Sequence, residues 1–504
     1  MGESRPEVPL AGGEHGHQRL AELIPLALNG LAEGTAERGG AAPAGGPATV
    51  AASVAAAMTD ELPPLLPVRG VGAERALVEL SRLLAAGSVD PADPWCAAHL
   101  HCPPLALAVA ADVVASALNP SMDSWDQAPV ASELEREFCG AFARLCYPEA
   151  ESPDAVVTTG GTESNLLGLL LAREAHPEHV VRPVCGRTAH HSVARAAWLL
   201  GLPAPLVVDC PGDRLAPAAL ADALRTLTGP AVVVATAGTT NTGEIDPLRA
   251  VAEVCRDFGA QLHVDAAYGG MALCSDELSP LLDGLDLADS VALDMHKFGW
   301  QPISAGLLAT GDARRLGALT VRAEYLNADD DTEAGLPDLL GRSIRTSRRP
   351  DAFRMAVTTR ALGTAGIGEL VLRCCRTAAE VAESIAEHPR LRLWGRPALS
   401  TVLFRPSVAD RLSAPMADAL IARVRRTLLE SGAAVIGRAT MPGGPDDRDD
   451  RDDTDELWLK LTLLNPNAGA ADYTGLLRLV AETADAELAV LSSAGVDPES
   501  VEVL

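Results

Sequence analysis

Lysine is almost missing from this chain: of 41 basic side chains only Lys297 and Lys460 are lysine, and every other one is arginine. Where a positive charge alone would serve, the chain uses arginine, so a retained lysine marks a position that needs an amine. A guanidinium stays protonated and cannot form an imine. Aromatic residues are also scarce, 3% against 48% hydrophobic residues in all, which leaves Ala, Leu and Val to build the core. Basic charge is outweighed by 68 acidic side chains for a net −27, which excludes a concentrated cationic face for nucleic-acid phosphates. General solubility explains the acidity, and cationic substrates are its functional alternative. The ten cysteines have no paired zinc-type spacing, so reduced thiols and no metal site are expected. The stretch Met1 to Val8 lacks the basic start and apolar run of a secretion signal, and no apolar span of roughly 18 residues follows, so a cytoplasmic protein without a membrane segment is expected.

A length of 504 residues sets two or three domains as the expectation. The divisions fall at 1–95 for an N-terminal arm with helices, 96–355 for a large domain and 356–504 for a smaller C-terminal one. Residues 1–60 are rich in Gly, Ala and Pro around a helix-like patch from Leu20 to Leu31, the pattern of an arm that packs on a partner subunit. Short apolar runs then alternate with helical stretches: Ala155–Thr158, Pro183–Gly186, Pro205–Asp209, Ala231–Thr236, Gln261–Asp265, Ser290–Asp294 and Ala305–Thr310. Seven such strands separated by helices predict an α/β fold, one mostly parallel sheet with helices on both faces. Beyond Arg349 the texture becomes helical and then mixed, with strands at Leu399–Arg405 and Leu457–Leu464, hence a smaller α+β domain. Pro445–Glu456, rich in Pro, Asp and Arg, reads as a solvated loop.

Ligands of such sheets gather where loops leave the carboxyl ends of strands. Lys297 follows His296 and the strand Ser290–Asp294, so it stands at one of those ends, whereas Lys460 alternates with apolar neighbours as on an edge strand. Asp265 ends another strand and is followed by small Ala266 and Ala267. An acid so placed can pair with a pyridine nitrogen, though it can equally cap a helix. Gly160-Gly161-Thr162 opens a helix whose N–H groups and dipole would favour a phosphate. His190 and His191 follow the second strand, where an imidazole could stack on a flat ring.

Together, Thr159 to Asn165, Ala189-His190, Ala235 to Thr240, His263 to Tyr268 and Asp294-Met295-His296-Lys297 resemble the group II pyridoxal-phosphate amino-acid decarboxylases, in matching order across about residues 90–470. His99 to Pro103, Ser121 to Gln127, Glu324 to Asn327 and Leu461 to Pro466 resemble the bacterial diaminobutyrate and lysine decarboxylase branch. The resemblance implies a type I aminotransferase-like fold, pyridoxal 5′-phosphate as cofactor and a homodimer whose subunits complete each other's sites. It makes Lys297 the Schiff-base lysine, Asp265 the pyridinium partner and His190 the ring-stacking histidine. It puts Gly161 and Thr162 on the phosphate with Asp294 and His296 beside it, Ala267 under the ring and Thr240 in support of Asp265, and lets Thr346 and Ser347 reach the neighbouring subunit's phosphate.

At the positions that relatives of the aromatic branch line with rings, this chain has His101, Cys102 and Asp123. A carboxylate there would select a diamino acid such as 2,4-diaminobutyrate, lysine or ornithine, while a turn-capping Asp123 is the bland alternative. The aromatic branch also uses a loop tyrosine as proton donor, and Asn327 to Arg345 contains none, although Tyr325 precedes it and Asp329 to Asp331 lie within. Decarboxylation to an amine and carbon dioxide is therefore expected. Aldehyde-forming chemistry, or a non-basic substrate, stands as the alternative.

Overall fold

The computed structural model describes residues 10–57, 65–321, 330, 333–441 and 455–493, and the chain forms two compact units. The segment from Glu324 to Asn327, Asp329, Asp331 and most of Pro445–Glu456 lie outside the described residues.

One unit holds Leu100–Ala379 with Pro397–Thr401. Its strands are β1 (Asp154–Thr158), β2 (Arg182–Gly186), β3 (Leu206–Val208), β4 (Ala231–Thr236), β5 (Gln261–Asp265), β6 (Ser290–Asp294) and β7 (Gly306–Thr310), in the sheet order β1-β7-β6-β5-β4-β2-β3. The five strands from β6 to β3 run parallel, and β7 is antiparallel to both its neighbours, β1 and β6. The expected seven-stranded, mostly parallel sheet is present. Every residue of β4, β6 and β7 is buried, which is why these strands read as unbroken apolar runs and not as alternations.

Helices α1 (Gly16–Arg38), α2 (Gly46–Ala56) and α3 (Ala73–Ala86) precede this unit in the chain. Within it lie α4 (Ala106–Leu118), α5 (Pro129–Cys146), α6 (Gly161–Glu174), α7 (Ser192–Leu199), α8 (Pro217–Arg225), α9 (Leu248–Phe258) and the larger part of α10 (Asp351–Glu387). The amphipathic α9 buries Leu248, Val251, Ala252 and Cys255 at helical spacing and ends on Gly259, whose φ of 64° few other residues adopt without strain.

The other unit combines α1 to α3 with Glu380–Arg396 and the chain beyond Val402. It adds α11 (Ala414–Glu430), α12 (Ala470–Ser493) and the strands β8 (Leu391–Leu393), β9 (the run Thr401–Pro406), β10 (Gly437–Met441) and β11 (Glu456–Thr462), in the order β10-β11-β9-β8. Lys460 therefore sits on an interior strand and not on an edge, and it is buried. Burial lowers the pKa of its amine. No helix among the described residues is long and apolar enough to cross a membrane.

Candidate active site

Four of the parallel strands, together with β1, deliver side chains to one end of the sheet. Thr158 ends β1, Gly186 ends β2, Thr236 ends β4, Asp265 ends β5 and Asp294 ends β6. Around the segments that follow lies a cavity of about 380 Å³, lined by Leu100, Thr159 to Thr162, His190, Thr236, Gly238, Thr240, Asp265, Ala267, Tyr268, Asp294, His296 and Lys297. All nine residues that the motifs assigned to a cofactor are in that lining: Gly161, Thr162, His190, Thr240, Asp265, Ala267, Asp294, His296 and Lys297.

At the amine, Lys297 Nζ lies 3.0 Å from Asp294 Oδ2, and His296 Nε2 lies 3.4 Å from the same oxygen. His296 Nδ1 lies 2.8 Å from the Ala305 carbonyl and 3.2 Å from the Ala305 N–H, and this backbone contact fixes the ring. Asp294 Oδ1 is buried and has no hydrogen-bond partner among the described residues. Across the cavity each oxygen of Asp265 accepts one bond, Oδ1 from Ala267 N–H at 3.1 Å and Oδ2 from Asn165 Nδ2 at 2.7 Å. His190 is partly buried, and burial lowers its pKa; His191 and Lys297 push the same way, while Asp265 opposes them.

The anion cradle follows from glycine. Gly160 has φ 141°, and a Cβ there would come within 2.6 Å of His296 Cε1; a Cβ on Gly161 would come within 2.9 Å of the Ala267 methyl. Side chains at these places would fill the space in front of α6, whose first-turn N–H groups have no intrahelical acceptor. Glu163 steadies the turn by accepting Thr159 N–H at 2.7 Å and pairing with Arg345 at 3.2 Å. The start of β7 closes the cradle from behind: a Cβ on Gly306 would lie 2.5 Å from Gly160 Cα. Gly306→Ala is expected to cost about 1–3 kcal/mol by overpacking, because its new methyl meets backbone that cannot rotate away. Denaturant unfolding of the variant checks the stability loss, and a cofactor titration checks the weakened binding that should accompany it.

The residues expected on the substrate side are less uniformly placed. Cys102 is buried, donates its thiol to the His296 carbonyl at 3.2 Å and has its pKa pushed up to about 12 by burial, so it is no nucleophile. His101 is half-buried, and burial followed by the charge of His296 lowers its pKa. Asp123 does not line the cavity; it is buried and accepts from Gln127 Nε2 at 2.8 Å, in a turn where Ser124 also bonds Asp126. Thr346 and Ser347 are exposed and likewise outside the lining.

Several residues of the site carried no assigned role in the sequence. Tyr268 and Leu100 line the cavity, and the Tyr268 hydroxyl is tied to Ser400 and Thr401 at 2.9 and 3.0 Å. Asn165, Ser192 and His263 lie behind it. His263 was detectable in principle, since it stands two residues before Asp265 and side chains two apart on a strand share a face.

An amine, a carboxylate bonded through both oxygens, an imidazole and a glycine-opened helix N-terminus around one cavity on a doubly wound sheet fit a phosphorylated aldehyde cofactor. The chain belongs to the pyridoxal-dependent decarboxylases, whose conserved domain matches residues 57–407. Its cofactor is pyridoxal phosphate, and it is a decarboxylase of amino acids. It is similar to L-2,4-diaminobutyrate decarboxylase of Rhizobium meliloti, 36% identical with 85% of each chain covered. The enzyme so named from Acinetobacter baumannii is 32% identical, covering 82% of this chain and 85% of that one. Among solved structures, the glutamate decarboxylase domain of diaminobutyrate-pyruvate transaminase and L-2,4-diaminobutyrate decarboxylase from Vibrio parahaemolyticus superposes with TM-score 0.79 at 28% identity, covering 95% and 98% of the two chains. Oryza sativa TDC with PLP and tryptamine shares the fold, with TM-score 0.81 at 21% identity, covering 96% of this chain and 100% of that one.

Proposed function

We propose that the chain decarboxylates a small diamino acid, 2,4-diaminobutyrate before lysine or ornithine, to the diamine and carbon dioxide. The observation that carries this is the meeting of Lys297, Asp265 and the Gly160-Gly161-Thr162 cradle in one cavity, in a chain whose relatives include two L-2,4-diaminobutyrate decarboxylases.

In this reading pyridoxal phosphate supplies a cationic ring that accepts the electron pair left when carbon dioxide departs. Lys297 Nζ would anchor the cofactor aldehyde and be the amine that the substrate's own amine replaces. Asp265, buried and held through both oxygens, keeps a proton on the pyridine nitrogen. His190 would stack on the ring, Ala267 would support it and Thr240 would back Asp265, all three being part of the cavity lining. The first-turn N–H groups of Gly161 and Thr162 hold the phosphate, flanked by His296 and by Asp294, whose Oδ1 can share a proton with it. Lys297, once released, is a mobile amine able to hand a proton to the α-carbon. The protein works in the cytoplasm as a homodimer whose subunits complete each other's sites, with Thr346 and Ser347 turned to the neighbour's phosphate.

In this reading His101 and Cys102, which follow Leu100 of the lining, would face the substrate, and Asp123, outside that lining and bonded by Gln127, would have to turn from its partner to meet the distal ammonium. Asp123→Asn is expected to raise the Michaelis constant for 2,4-diaminobutyrate by about 10-fold or more, the loss of one charge-assisted hydrogen bond, with unchanged cofactor affinity. Steady-state kinetics with a parallel cofactor titration decide it; an unchanged Michaelis constant confines Asp123 to its turn.

The deciding experiment incubates the cofactor-loaded protein with a panel of amino acids. 2,4-Diaminobutyrate should yield carbon dioxide and 1,3-diaminopropane in equal amounts. An aldehyde with ammonia or hydrogen peroxide would transfer the chain to the aldehyde-forming chemistry, and preference for an aliphatic or aromatic acid would remove the diamino assignment.

A further inference from the structure

Behind the cavity runs a buried chain of polar side chains that the reaction does not touch. Asn165, on the first turns of α6, is fully buried; its Nδ2 is 2.7 Å from Asp265 Oδ2 and 2.8 Å from Ser192 Oγ, and its Oδ1 is 2.9 Å from His263 Nε2. His263 Nδ1 in turn meets Ser290 Oγ at 2.8 Å, and Ser192 Oγ meets His190 Nδ1 at 2.8 Å.

Donor and acceptor chemistry orders every proton in this chain. An ionised carboxylate only accepts, so the Asn165 atom facing Asp265 is the amide nitrogen, and its two hydrogens go to Asp265 and Ser192. Its oxygen must then receive the Nε2 proton of His263, whose Nδ1 takes the Ser290 hydroxyl proton. A single proton on His263 agrees with full burial, which drives its pKa down to about 4. The Ser192 backbone N–H donates to His190 Nδ1 at 3.3 Å, so that nitrogen is an acceptor and the Ser192 hydroxyl proton points to it as well. His190 is thereby left with its proton on Nε2. The helix leans directly on the second imidazole: a Cβ on Gly168 would lie 2.5 Å from His263 Cε1, so neither ring nor helix has room to shift.

We propose that Asn165, oriented by His263, is a positioning residue that makes Asp265 and His190 a single unit, fixing the carboxylate of one directly and the tautomer of the other through Ser192. The proposal rests on the reading that Asp265 faces the pyridine nitrogen. Neither Asn165 nor His263 lines the cavity, so both act only through the residues that do.

The test is a double-mutant cycle on cofactor affinity, measured by titrating the cofactor-free protein with pyridoxal phosphate. Asn165→Ala should raise the dissociation constant about 10- to 100-fold in the wild-type background, yet less than about 3-fold when Asp265→Asn is already present. The visible band of the loaded Asn165→Ala protein should shift in the same direction as that of Asp265→Asn, while thermal unfolding of the cofactor-free form serves as the control for mere destabilisation. Equal factors in both backgrounds, or an unshifted band, overturn the proposal. If Asp265→Asn alone leaves affinity unchanged, the pyridine-nitrogen reading itself has failed, and that arm reports it separately. Should Asn165→Ala not fold, Ser192→Ala removes only a hydroxyl and runs the same cycle against His190→Ala: an effect confined to the background that retains His190 supports the link, and equal effects in both refute it.

Discussion

Lys297→Arg should leave a folded protein that shows no visible absorbance fixed by borohydride and has lost more than about 1,000-fold of its decarboxylase activity. Two losses combine. A guanidinium cannot condense with the cofactor aldehyde, and the same substitution removes a mobile proton carrier, a role worth ~10²–10⁴ by itself. Charge is preserved, so the ion pair with Asp294, now 3.0 Å from the amine, has a cationic partner in the variant as well, which keeps unfolding from explaining the result. Borohydride reduction of the wild type followed by peptide mass spectrometry should place the label on Lys297. A label on Lys460, the chain's other lysine, would end the assignment of this cavity as the catalytic centre.

The second large effect is expected at Asp265. Asp265→Asn keeps the shape and one acceptor for the Ala267 N–H, but it sets an amide NH2 where an anion stood and leaves the pyridine nitrogen without its counter-charge. Breaking one partner of a buried ion pair costs about 3–5 kcal/mol. That loss should appear partly as weaker cofactor binding and partly as a lower kcat, since a neutral ring is a poorer electron sink. Titration of the cofactor-free variant separates the first part, and turnover at saturating cofactor the second. A variant with native affinity and native kcat would show that this carboxylate does no electronic work.

The sheet was readable because strands such as β4, β6 and β7 are buried on both faces. All seven expected runs lie on the observed strands to within a residue or two at either end, from β1 at Asp154–Thr158 to β7 at Gly306–Thr310. The cofactor motifs were readable for a related reason: each sits where a strand stops, and those ends converge whatever the loops between them do. The C-terminal sheet was read less well. Its β8, only Leu391–Leu393, is too short to show a period, and β10 was not expected at all, so Lys460 was assigned to an edge that belongs to other strands. Asp123 shows a different limit, since Ser121 to Gln127 gives residue types but not direction, and Gln127 claims the carboxylate. Asn165 carried no local signal because Asp265 and His263, which it bonds, lie about a hundred residues further along the chain.

The antiparallel β7 has one more consequence, for the order in which the molecule is made. The strand β1 leads into the phosphate cradle but lies at the sheet's edge, where β7 is its only strand neighbour among the described residues, Asp154 pairing with Thr310. A nascent chain that has emerged only as far as Lys297 thus possesses both the lysine and the glycine turn, yet has no strand to join the two. The edge that leads into the cradle is completed only when β7 inserts, a long-range closure of the slow kind.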